Sequence, residues 1–157
     1  MSAGPRPTRE QVFSALFTQL QTAEGFTTFS RRMLDYSAIA PALLPILLLW
    51  EQPESTDWPH SGLFRDHWEA LAVIVFQNTS KPSGGDPTTA TPGATIINPL
   101  VDAVRNALAP DDPISNYLTL GGLVHWCRVE GRTIIETGDT DAGGFGGAVI
   151  PIHILVP

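Results

Sequence analysis

The chain is expected to be α+β: a mostly antiparallel sheet of five to six strands flanked by two helices, with a C-terminal three-stranded meander. Three observations predict this. Only two stretches carry apolar residues at helical spacing, near residues 9–21 and 99–109. The segment 67–78 alternates over twelve residues as a strand does. The last forty residues then hold three strand-like runs separated by glycine-bearing turns.

Taken in order, residues 1–7 read as a loose tail. Thr8 and Gln11 form a capping box that opens a first helix from about Arg9 to Gln21, with Val12, Phe13, Leu16, Phe17 and Leu20 on one face and Gly25 beyond its end. Phe26 to Asp35, rich in Thr and Phe, reads as a strand. Ile46 to Glu51 is a solidly apolar strand, and residues 52–66, with Pro53, Pro59 and Gly62, read as a loop.

His67 to Asn78 sets Leu71, Val73 and Val75 against Ala72, Ile74 and Phe76. Both faces are apolar, so both require a cover. Residues 79–94 are full of Pro, Gly and Thr and read as an extended loop or arm, or else as a tolerated surface insertion. Asn98-Pro99 reads as the start of a second helix that runs to about Ala109, before Pro110.

In the meander, Leu123 to Glu130 runs out, Gly131 reverses the chain, Arg132 to Thr137 runs back, and Ala148 to Val156 closes. This pairing puts Leu123, Cys127, Val129 and Ile134 on one face and Val124, Trp126 and Ile135 on the other. It also sets His125 opposite Glu136.

With 157 residues the chain reads as a single domain, 1–157, able to bury a core without a disulfide or a metal. The one cysteine, Cys127, leaves no internal disulfide and reads as a small buried hydrophobe. The net charge is −7 with one lysine among nine basic residues, which argues against a nucleic-acid-binding surface. No secretory leader is expected from MSAGPRPTRE. The longest apolar run, Ala38 to Trp50, is broken by Pro41 and Pro45 and is too short to span a bilayer. A soluble protein made in a cytoplasm is expected.

No catalytic or metal-ligand spacing emerges from His60, His67, His125 and His153. The His125–Glu136 pair could serve acid–base chemistry, but a cross-strand polar pair is the plainer reading. The run Gly143-Gly144-Phe145-Gly146-Gly147 has no helix after it and reads as a hairpin connection rather than a phosphate cradle. No catalytic, metal or cofactor site is expected. Two short helices cannot easily cover both faces of such a sheet, so an uncovered apolar face for a partner subunit is expected; the alternative is that Trp126 and its neighbours pack under the 79–94 loop within the monomer.

The ordered set ALFTQLQT (Ala15 to Thr22), FSRRMLDY (Phe29 to Tyr36), LPILLLWEQ (Leu44 to Gln52), INPLVDAVRNALAPD (Ile97 to Asp111), TLGGLVHWCRVEG (Thr119 to Gly131) and IPIHILVP (Ile150 to Pro157) resembles the tail terminator, or tail completion, proteins of long-tailed bacteriophages and phage-like particles. The resemblance covers nearly the whole chain. It implies a non-enzymatic virion protein: a homo-oligomeric ring, normally of six subunits, on the head-proximal end of the tail tube. Its partners would be the tail tube protein and the head-neck connector protein. DNA would pass through the lumen without specific recognition.

Other neck or head-completion connectors are a rival reading, as is a small enzyme or ligand-binding domain using His125, Glu136 or His67 with Trp68. The interface candidates read from the chain are Arg31 and Arg32, its densest positive spot; Lys81, Asp86, Thr88 and Thr89 of the 79–94 segment; and Trp126, Arg128 and Ile135.

Overall fold

The computed structural model describes residues 5–57, 65–111, 114–139 and 144–157. The fold is α+β. Helices α1 (Arg9–Leu20) and α2 (Gly93–Ala107) pack on one face of a curled, mixed sheet of β1 (Thr28–Ser30), β2 (Ile46–Asp57), β3 (Arg65–Asn78), β4 (Trp126–Val129), β5 (Ile134–Glu136) and β6 (Gly144–Val156). The order is β1-β2-β3-β6-β4, with β5 also on β6. All pairs are antiparallel except β1 with β2.

The capping box forms as the sequence dictates: Gln11 N–H donates to Thr8 Oγ1, and Thr8 N–H donates to Gln11 Oε1. It fixes α1 so that Val12, Phe13, Leu16 and Leu20 point at the sheet, all at 1% exposure or less. They meet Leu47 and Leu49 of β2, alternate residues of β3 from Trp68 to Phe76, and Ile150, Ile152 and Ile154 of β6. Ile97, Leu100, Val101 and Val104 of α2 complete this core.

A smaller cluster on the opposite face joins Ile39 to Ile46, Leu48, Val73 and Val75. Its cover is the crossing segment between β1 and β2. Both faces of β3 are therefore apolar for the expected reason, and Leu71, Val73 and Val75 do oppose Ala72, Ile74 and Phe76.

Several boundaries differ from expectation. The glycine run read as a hairpin connection is strand from Gly144 on, so β6 starts there rather than at Ala148 and pairs Gly144–Gly147 with Asn78–Val75; β3 starts at Arg65 rather than His67, and β4 at Trp126 rather than Leu123. The strand expected over Phe26–Asp35 shrinks to Thr28–Ser30: the chain bends at Arg31 and Arg32, where Arg32 N–H donates to Ser30 Oγ, and then crosses to the second face, which the 3-10 turns at 36–38 and 41–43 help cover. β2 continues through Pro53 into the expected loop. A bulge between Glu51 and Glu54 absorbs the proline, whose missing N–H is tolerated on an edge strand.

α2 begins at Gly93 rather than Pro99, so Pro99 lies inside the helix. It ends at Ala107, two residues before the expected limit. Its first N–H is capped from across the fold: Gly93 N–H donates to Asp139 Oδ1 at 2.7 Å, and Asn78 Nδ2 donates to the same oxygen at 3.1 Å. These bonds, the one to Gly93 foremost, hold the Asp139 carboxyl below its usual range.

The C-terminal strands come in the expected order and are antiparallel to β6, but Gly131 does not reverse the chain. β4 and β5 run the same way, end to end along one edge of β6, and pair with Ile152–Leu155 and Gly147–Val149. Pro151 is the reason. Its carbonyl accepts from Glu130 N–H at 3.2 Å, so its missing N–H faces the same side and the ladder lapses there. Residues 130–133 bulge past it, with Gly131 at φ +110°. Below the bulge, Cys127 and Val129 face the helices. Above it, Ile135 does, and Trp126 and Ile134 face the other way. The expected sides of Ile134 and Ile135 are thus exchanged.

Candidate assembly interface

Among the described residues, the face opposite the helices is covered beside β1, by Leu34, Ile39 and Leu44. The rest of it is floored by β3, β6, β4 and β5, and it is where large apolar side chains reach solvent. At the glycine-rich start of β6, Gly146 and Gly147 place no side chain on the sheet. A hollow of about 250 Å³ opens there between Tyr36, Ile134, Phe145 and Val149. Three of its walls are exposed: Tyr36 at 51%, Ile134 at 54% and Phe145 at 45%.

At the other end of the same sheet edge, Tyr117 and Trp126 lie with ring centroids 6.4 Å apart. The Arg128 guanidinium sits 4.3 Å above the Trp126 ring and is held by Glu130 at 2.8 Å. Trp50, 45% exposed, stands on the far side of this face on β2.

The sequence-predicted residues divide accordingly. Trp126 and Arg128 share the second patch. Ile135 is at the β5 edge, 44% exposed, and turned to the helix side. Arg31 is committed within the subunit: it is bidentate to Glu10 at 2.6 and 3.0 Å and bonds Glu51 at 2.5 Å. Arg9 extends the network to Glu54 at 2.6 Å and the Gln52 carbonyl at 2.8 Å. Together they fasten α1 to the end of β2. Arg32 is exposed and makes no ion pair among the described residues.

Lys81 is exposed on the 79–92 loop, whose base is closed by Thr91 N–H on Ser80 Oγ and Asn78 Nδ2 on the Thr91 carbonyl. Asp86 accepts from Thr88 N–H and Oγ1, and Thr89 Oγ1 accepts from Ser83 N–H. Asp86, Thr88 and Thr89 therefore fold the loop on itself. Residues 93 and 94, expected at the end of this arm, belong to α2. The expected loose tail is pinned at Arg6, which donates to Asp66. Residues 1–4 lie outside the described residues.

Arg31 holds the Glu10 carboxylate at about 2, with help from the Ser14 hydroxyl, against 4.5 for an ordinary glutamate. A depressed carboxylate favours the folded state above its unfolded value, and the advantage drains away as pH falls from 4.5 to about 2. Comparing urea midpoints of the parent and Glu10→Gln should therefore show the parent ahead at neutral pH and the gap closing across that window. A gap that stays constant in acid would refute the assignment.

The cross-strand pair expected of His125 and Glu136 does not form, and with it goes the geometry that acid–base chemistry between them would need. His125 donates its backbone N–H to Leu155 O, at the opposite end of the β6 edge from the Glu136–Gly147 pairing, so the two do not face each other. His60 lies outside the described residues. His153 Nδ1 comes 3.8 Å from Glu69 Oε1 on the open face. Cys127 is 1% exposed, and burial pushes its thiol up to about 12, which makes it an unreactive core residue. No group of three His, Cys, Asp or Glu among the described residues could hold a metal ion, and no described helix is long and apolar enough to cross a membrane.

Sequence reasoning missed Tyr36, Phe145, Ile134, Tyr117 and Trp50 as exposed apolar positions. Phe145 alone carried a local signal, being flanked on both sides by glycines that offer nothing to cover it. No protein-family model matches the chain, and no curated protein matches it in sequence.

Proposed function

We propose that this chain is a structural subunit of a long-tailed phage or phage-like particle, the tail terminator. In this reading it forms a ring, of six subunits by the resemblance, that caps the head-proximal end of the tail tube, stops tube growth and presents a surface to the head-neck connector. It is made in the host cytoplasm, works in the virion and catalyses nothing.

The observation that carries the reading is the presence of two separate surface patches: the exposed Tyr36, Ile134 and Phe145 around the glycine hollow, and the exposed Tyr117 and Arg128 with the half-buried Trp126 at the other end of the edge. A head-to-tail ring needs two different complementary surfaces on each subunit. Aromatic residues and arginine are the types enriched at such contacts. The acidic balance, −7 with a single lysine, suits a lumen that DNA crosses without sticking.

The test is electron microscopy of particles produced without the gene. Over-long tails of variable length, separated from filled heads, are expected. Tails of normal length that fail to join heads would reassign the subunit to the connector. Intact infectious particles would overturn the virion reading.

A further inference from the structure

The sheet ends in two short strands that pair on one side only, β1 and β5, and β5 is the exposed one: all three of its residues are exposed, whereas those of β1 are half-buried. On the β1 side, β1 covers the start of β2, and Pro53, the bulge and Arg9 on the Gln52 carbonyl blunt the remainder. On the other side, the outer edge of β4 is occupied at Cys127, whose N–H donates to Leu118 O at 2.8 Å. β5 has no such cover. It pairs only with β6, and all three of its residues are exposed, among them two isoleucines and no proline or lysine. An open apolar edge of this kind is a template for another strand.

The charges around it select the occupant. The run Arg132-Thr133-Ile134-Ile135-Glu136 has a cation at one end and an anion at the other. Both are exposed, and neither is ion-paired among the described residues. A second copy laid parallel in register would set like charge against like. Laid antiparallel about Ile134, it sets Ile134 opposite Ile134 at the centre and brings Arg132, at the end of the bulge, beside the other copy's Glu136, with residues 132 and 133 drawn into line with β5 and Thr133 Oγ1 giving up its 3.4 Å contact with Arg105.

We propose that two copies of this chain pair antiparallel through the open edge of β5, about a two-fold axis at Ile134, with each Arg132 against the partner's Glu136. The contact is short, so the dimer is weak and concentration-dependent. It does not rest on the tail-ring reading: a two-fold contact closes on itself and cannot propagate into a ring. Ile134 also borders the hollow assigned above to the ring contact, so dimer and ring compete for it.

Sedimentation of the whole protein over a wide concentration range tests this. A monomer–dimer equilibrium is expected, weakened at least ten-fold by Arg132→Glu and restored by Arg132→Glu combined with Glu136→Arg. Under mild oxidation Ile134→Cys should link two copies far faster than Trp50→Cys, an exposed control at the far end of the same face, on β2. Cys127 can stay in place because it is buried. A monomer at every concentration, a dimer indifferent to the charge reversal, or equal linking by the two cysteine variants would overturn the proposal. A larger assembly untouched by the Arg132 and Glu136 changes would overturn it too, while leaving the ring reading standing.

Discussion

Gly147→Ala is expected to leave little folded protein, or to cost at least roughly 3 kcal/mol, the upper end of ordinary overpacking. A Cβ at residue 147 would lie 2.2 Å from the Ile74 carbonyl oxygen and 3.3 Å from its carbon. These are backbone atoms of β3, which is hydrogen-bonded to β2 on its far side, while β6 is held by β5 on its own. Neither strand can step aside without breaking a second pairing. The neighbouring Gly146 is hemmed in from the other side, its Cβ position lying 2.6 Å from the Glu136 carbonyl oxygen and from the Phe76 ring. The measurement is soluble yield and thermal unfolding beside Gly84→Ala. Nothing lies within 4 Å of the added methyl at Gly84, and only its φ of +61° opposes the change, worth about 1–2 kcal/mol. Equal melting of the two variants would show that the β3–β6 approach is not the constraint. The same absence of side chains opens the hollow beside Phe145, so one close approach of strands both demands the glycines and creates the candidate contact surface.

How much of this was legible in the sequence depended on whether the cause of each element was local. Thr8, Gln11 and the apolar stripe behind them are local causes, and α1 starts where they place it. The alternation in β3 is local too, and its two faces were assigned correctly. The start of α2 was not legible, because its cap is Asp139, forty-six positions away. Asn98-Pro99 offered a local start signal that the distant cap and the burial of Ile97 overrode. Pro53 looked like a strand breaker because sequence does not reveal which strands lie at an edge. Gly131 fitted a hairpin turn equally well, because a turn and a bulge both need positive φ. The deciding residue, Pro151, sits on a different strand.

The candidate site was legible in kind and in only part of its membership. Trp126 was found because two short helices leave one face of the terminal strands without a cover, and Arg128 lies beside it on that face. Arg31 stood out as a positive spot, yet Glu10, Glu51 and Ser14, from two other elements, converge on it. Charge density along a chain does not tell a free cation from one already spent on a salt network. Tyr36 could not be found, because its exposure depends on how far the crossing segment extends over the second face.

Phe13→Ala should lower stability by about 3–5 kcal/mol, since a fully buried ring is replaced by a cavity. A helix of twelve residues is marginal on its own, so α1 depends on this face for its existence. Phe13 stacks on Trp68 with centroids 6.0 Å apart and planes within 11°, and the Arg9 guanidinium lies 4.8 Å from one ring and 5.4 Å from the other. Removing the ring therefore loosens Arg9, and with it the links to Glu54 and the Gln52 carbonyl that tie α1 to the blunted edge of β2. It also uncovers Trp68, whose Nε1 has no hydrogen-bond partner among the described residues. For a domain of this length the loss corresponds to a fall in Tm of roughly 6–20 °C. Hydrogen exchange locates it: protection should fall most in α1 and around Glu51–Glu54, and least in the β3–β6 pair, which is held by thirteen residue pairings independent of the helix. A fall in Tm of only a degree or two, or protection lost evenly over the sheet, would mean that α1 is secured by something other than its apolar face.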